Sequence, residues 1–105
     1  MIINESDITW KQTYRCNKAT NNHGSTSSVT VCLKAIEIQK NTNFKHDNML
    51  ANNYLNAGYL YEKSEHNYIK AYEYYMKAAN VGGENGLNAQ NNLNIMCKKN
   101  PWACK

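Results

Sequence analysis

The sequence predicts an all-α protein, a short α/α solenoid of about five helices with a disulfide at each end. Two observations point to stacked repeats. Residues 32–38 (CLKAIEI) and 68–74 (YIKAYEY) share a pattern and begin 36 residues apart, as do residues 53–61 (NYLNAGYLY) and 89–97 (AQNNLNIMC). Two separate stretches with one offset make a repeat, and a period of this size marks helical units that bury their apolar faces against one another. The third observation is the placing of four cysteines, Cys16 and Cys32 in the first third and Cys97 and Cys104 at the end.

Each element has a local reason. Ser6 or Asp7 is placed to cap a first helix through about Ala19, because a side-chain oxygen there can accept the unpaired N–H groups of the first turn. Trp10 and Tyr14, at i and i+4, are its expected apolar contact. The tract Thr20 to Ser28 has no apolar residue and reads as a loop. Val29, Cys32, Leu33 and Ile36 mark the inner stripe of a second helix to about Lys40, widened by Ala35 and Ile38.

Asn41 to Lys45 turns the chain, and Asp47 is the expected cap of a third helix reaching about Glu62. Leu50, Tyr54, Ala57 and Tyr61 step by four, three and four along one face of it. Gly58 in mid-helix costs about 1 kcal/mol against alanine, which a close approach of two helices would offset. A fourth helix from about Asn67 to Val81 turns Tyr68, Ala71, Tyr72, Tyr75 and Ala78-Ala79 inward, and Gly82-Gly83 ends it. A fifth, Leu87 to about Lys98, covers the open end. Asn100-Pro101 stops it, and Trp102 is expected to fold back onto the remaining apolar surface.

The 53–82 block resembles the Sel-one-like repeat, an α/α relative of the tetratricopeptide repeat. Gly58, Tyr61, Lys70, Ala71, Tyr75, Lys77, Ala78, Ala79 and Gly82 sit on positions that match its pattern. Asn53 stands where the pattern has its first Ala, Ala57 for Leu, Asn67 for Asp and Tyr74 for Trp. The next repeat starts again at Ala89 and Leu93, with Asn94 in place of Gly and Cys97 in place of Tyr. The resemblance implies a right-handed superhelix whose first helices line the concave side. It divides a single domain, 1–105, into an N-terminal cap with a degenerate repeat (1–44), the best-matched repeat (45–83) and a capping helix with its tail (84–105).

The cysteines bear on compartment. Fifteen residues separate Cys16 from Cys32 and six separate Cys97 from Cys104, so local pairing is the simplest of three pairings. Each bridge would staple an end repeat, which has a neighbour on one side only. Tetrahedral metal sites need tighter spacings than these, and four reduced buried thiols in a cytosolic protein are the other alternative. Disulfides imply an oxidising compartment, periplasmic or secreted. Met1 to Glu5 lacks the basic start and apolar stretch of a leader, so an exported chain would have lost its leader. No apolar run reaches transmembrane length.

Composition excludes little but narrows the partners. A formal charge of +4 comes from scattered lysines and one arginine, Arg15, which reads as solvated surface and predicts no nucleic-acid partner. The three histidines, His23, His46 and His66, lie in or beside polar turns, and no serine has a nucleophile-elbow context. Gly82 to Gly86 lacks the Lys-Ser/Thr of a phosphate loop. The expectation is a protein without enzymatic activity, cofactor or metal.

A binding surface remains. The chain has 18 asparagines and eight tyrosines. Asn52, Leu55, Asn56 and Tyr59 occupy the third-helix face turned from its apolar stripe, and adding the repeat offset gives Asn88, Asn91, Asn92 and Ile95 on the fifth helix. Amides donate and accept, and tyrosine gives a large contact at small entropic cost. With the family resemblance, this predicts a protein-binding module, most concretely a periplasmic immunity protein that blocks a cognate bacterial toxin. The alternatives are an assembly adaptor and a secreted cysteine-rich repeat protein of the penicillin-binding type. The cysteine slots of that last group hold Ala79 and Gly86 to Ala89 here.

Overall fold

The computed structural model describes residues 5–21, 29–42 and 46–104. Among the described residues five helices follow one another: α1 (Glu5–Asn21), α2 (Val29–Asn41), α3 (Asp47–Lys63), α4 (Tyr68–Val81) and α5 (Gly83–Lys99). One 3-10 turn, Pro101–Ala103, ends the described chain. There is no strand among the described residues.

Each helix packs on its sequence neighbour, and α3 also packs on α1 and α5, whereas the backbones of α2 and α4 do not approach one another among the described residues. The fold is therefore two rows, α1, α3 and α5 in one and α2 and α4 in the other. The closed-up row is here termed the inner row and the splayed row the outer row. The thinnest extent, 18 Å against a length of 50 Å, is that of two helix layers. Cys16–Cys32 bonds α1 to α2, and Cys97–Cys104 bonds the last turn of α5 to the tail.

The apolar core runs between the rows, with Ala35, Ala57, Leu60, Ala71, Tyr75, Ala78, Ala89 and Met96 all buried. Small residues on facing helices let the rows approach. Gly58 is the tightest point: a Cβ there would lie 2.7 Å from Cδ1 of the Tyr75 ring, so α3 and α4 meet as closely as the mid-helix glycine predicts. On the outer side the Tyr74 ring lies tilted between those of Tyr54 and Tyr61, with the Lys77 ammonium about 6 Å from the Tyr54 and Tyr74 rings.

The N-terminal third differs from the sequence expectation. Trp10 and Tyr14 are 52% and 65% exposed, and the residues of α1 that turn inward are Thr9, Gln12, Thr13 and Cys16. The cause is the buried polarity of the facing helices. Asn53 is fully enclosed, and its amide donates to Thr13 Oγ1 (3.0 Å) and Gln39 Oε1 (3.4 Å), while Gln39 donates to the His46 carbonyl (2.7 Å). Buried amides need such partners, so hydroxyls face them and the aromatics of α1 turn away. Asn53 Oδ1 has no hydrogen-bond partner among the described residues.

Helix ends also move. α1 already runs at Glu5, so neither Ser6 nor Asp7 is the residue before it. His46, not Asp47, caps α3, its Nδ1 accepting from the Met49 N–H at 3.2 Å. α5 starts at Gly83 rather than Leu87, because the single residue Gly82 joins it to α4. Gly82 donates to the Ala78 carbonyl and accepts from the Gly86 N–H, at a φ of 93° that favours glycine. Gly86 faces the same corner, where a Cβ would stand 3.0 Å from the Ala78 carbonyl oxygen. Trp102 folds back to an edge contact with Tyr68 but stays mostly exposed.

Candidate binding face of the inner row

On the inner row, amides occupy what α3 and α5 leave outside the apolar core, whereas α1 turns the polar Thr9, Gln12 and Thr13 inward. What is left on α3 is Asn48, Asn52, Leu55, Asn56 and Tyr59, the solvent side of the helix that buries Met49, Asn53, Ala57 and Leu60. On α5, Asn85, Asn88, Asn92 and Ile95 run along one edge of the buried face formed by Ala89, Leu93 and Met96. These two sets recur at three- and four-residue steps, so each forms one stripe.

Hydrogen bonds between asparagines join the stripes. Asn17 Oδ1 on α1 accepts from the Asn52 amide (2.8 Å) and the Asn56 amide (2.6 Å). Asn85 on α5 donates to the carbonyl (3.2 Å) and the side-chain oxygen (2.9 Å) of Asn48. The linked residues are 35 to 39 positions apart, close to the repeat offset, so the amides tie equivalent places in successive units.

Two clefts open on this face. One, of about 190 Å³, lies along α3 between α1 and α5 and has Trp10, Thr13, Asn17, Asn48, Asn52 and Asn85 in its walls. The Trp10 ring stands edge-on to His46 at 5.7 Å. The other, of about 110 Å³, is walled by Tyr59, Glu62, Lys63, Tyr75, Asn92 and Ile95. Here the Tyr75 hydroxyl donates to Glu62 Oε1 at 2.7 Å, and Lys63 Nζ lies 3.4 Å from Oε2. Burial, then the hydrogen bond to Glu62, push the Tyr75 phenol upward, so it stays a donor that holds this carboxylate in place.

Of the eight residues predicted for the face, Tyr59, Asn92 and Ile95 meet in the second cleft, and Asn52 lines the first. Asn56 joins Asn52 through Asn17, and Leu55 is packed partly against the core. Asn88 and Asn91 are exposed on α5, with Asn91 about 100° around the helix from Asn92. Sequence reasoning missed Trp10, Asn17, Asn48 and Asn85. No sequence signal separated Trp10 from a core aromatic, because its i,i+4 pairing with Tyr14 reads as an apolar contact.

The outer row has a third opening, about 300 Å³, between the splayed α2 and α4, walled by Leu33, Ile36, Glu37, Lys40 and Tyr74. No group of three or more His, Cys, Asp or Glu able to hold a metal occurs among the described residues. His23 lies outside the described residues. No described helix is long and apolar enough to cross a membrane.

These features define an all-α stack of two helix rows with disulfide-tied ends and an amide-lined inner face. The chain matches no protein-family model, no curated protein and no solved structure.

Proposed function

We propose that the chain is a non-enzymatic protein-binding module, specifically an immunity protein that binds and neutralises a cognate secreted bacterial toxin in the periplasm. The observation that carries the reading is the inner face: three helices present one surface in which amides are held in place by one another and aromatic or apolar residues stand at its clefts. Such a surface suits a protein partner, because prepositioned polar groups lower the ordering cost of binding and tyrosine and tryptophan supply contact area. Two disulfides fit an oxidising compartment, and the resemblance of residues 53–82 to the Sel-one-like repeat adds an analogy with small repeat proteins of that kind.

The test is genetic and direct. The adjacent gene is expected to encode a larger toxin that kills cells when directed to the periplasm, and co-expression of this chain in that compartment is expected to rescue them. A toxic neighbour that kills equally with and without the chain would contradict the reading.

A further inference from the structure

We infer that the cleft between α3 and α5 receives an arginine side chain of the partner protein; this rests on the binding reading above and names the chemistry of one contact. Glu62 is the carboxylate in its wall. Its side chain is only 13% exposed, yet among the described residues each of its oxygens carries a single hydrogen-bond or ion-pair partner, the Tyr75 hydroxyl on Oε1 and the Lys63 ammonium on Oε2. A carboxylate offers about four lone-pair directions, so both oxygens keep acceptor capacity. Two parallel N–H donors from a guanidinium match that geometry, whereas an ammonium can meet it only as a point charge.

The remaining walls fit the rest of an arginine. Tyr59 presents an aromatic side chain, on which a guanidinium can stack. Ile95, 56% exposed, supplies apolar surface for the methylene stem. The competing charge is Lys63, but it is half-exposed and 3.4 Å from Oε2, an arrangement that solvent screens and an incoming bidentate pair can displace. The phenol of Tyr75 adds rigidity: buried and protonated, it fixes the carboxylate before the partner arrives.

The probe is N-acetyl-arginine amide, titrated against the intact, oxidised chain and followed by amide NMR shifts. Its neutral isostere N-acetyl-citrulline amide is the control. Saturable shifts at Tyr59, Glu62, Lys63, Asn92 and Ile95 are expected with the arginine probe, and none with citrulline. Glu62→Gln can still accept from Tyr75, so the fold should be retained while the shifts are lost. Lys63→Ala should keep or strengthen them. Equal shifts with citrulline, or arginine binding that survives Glu62→Gln in a chain of unchanged melting temperature, would overturn the pocket. With a captured partner in hand, Glu62→Gln should weaken binding about tenfold or more. A partner bound equally well by that variant removes the arginine pocket and leaves protein binding standing. Charge-dependent arginine shifts in a chain that protects against no toxin keep the pocket and remove only the toxin.

Discussion

Tyr75 is fully buried where α3 and α4 meet, and its ring occupies the space that a side chain at position 58 would need. Gly58→Leu is therefore expected to destabilise by about 1–3 kcal/mol through overpacking. An unchanged melting temperature would mean that the two helices part easily at that point. Position 53 is the opposite case, a polar residue in a place where the repeat pattern has alanine. Asn53→Ala removes the donor for Thr13 and Gln39 and leaves two buried acceptors, at a cost of about 1–3 kcal/mol. Urea unfolding checks this, and a variant as stable as the parent would show that the polar contacts between α1, α2 and α3 contribute nothing. Gly58 was legible because a glycine in mid-helix breaks a propensity rule visibly. Thr9, Gln12, Thr13, Gln39 and Asn53 were not. Hydropathy marks buried polar residues as surface, and their burial depends on partners in other helices.

At the scale of elements, the ends of the stack depend on the bridges because α1 and α5 have helix neighbours on one side only. Cys16–Cys32 closes a span of 16 residues, for which the chain-entropy account gives about 3 kcal/mol, and the 7-residue span of Cys97–Cys104 gives about 2 kcal/mol. The double variants Cys16→Ala/Cys32→Ala and Cys97→Ala/Cys104→Ala should lower the melting temperature in that order. Reversal of the order would show that packing of the tail, through Tyr68 and Trp102, matters more than loop length. Helix existence and pairing were legible from the 36-residue offset and the cysteine spacing. The start of α5 was not, because Gly82-Gly83 is read as a stop and one glycine here also serves as a start. Nor was the cap of α3: an aspartate is the ordinary choice, and only the fold shows that His46 Nδ1 reaches the Met49 N–H.

At the scale of the whole molecule, the two helix rows divide the surface. The inner row offers the asparagine-linked face with Trp10, Tyr59 and Ile95 at its clefts, and the outer row offers lysines such as Lys70 and Lys77. Half of this face could be read by carrying α3 forward one repeat to α5. The α1 share was hidden, because Trp10 and Tyr14 look like core aromatics unless Asn53 is known to demand polar neighbours. Binding energy on such a surface should concentrate at its aromatic positions, with the amides acting through water exclusion and orientation. Lysines of the outer row should alter no more than the salt dependence of association. The most direct measurement of the central claim is the affinity of a captured partner for Tyr59→Ala, Asn92→Ala and Lys77→Ala, compared with the parent chain. Tyr59→Ala is expected to lose about 2 kcal/mol or more, Asn92→Ala less, and Lys77→Ala almost nothing. A large loss at Lys77 with Tyr59 silent would place the partner on the outer row and contradict the account.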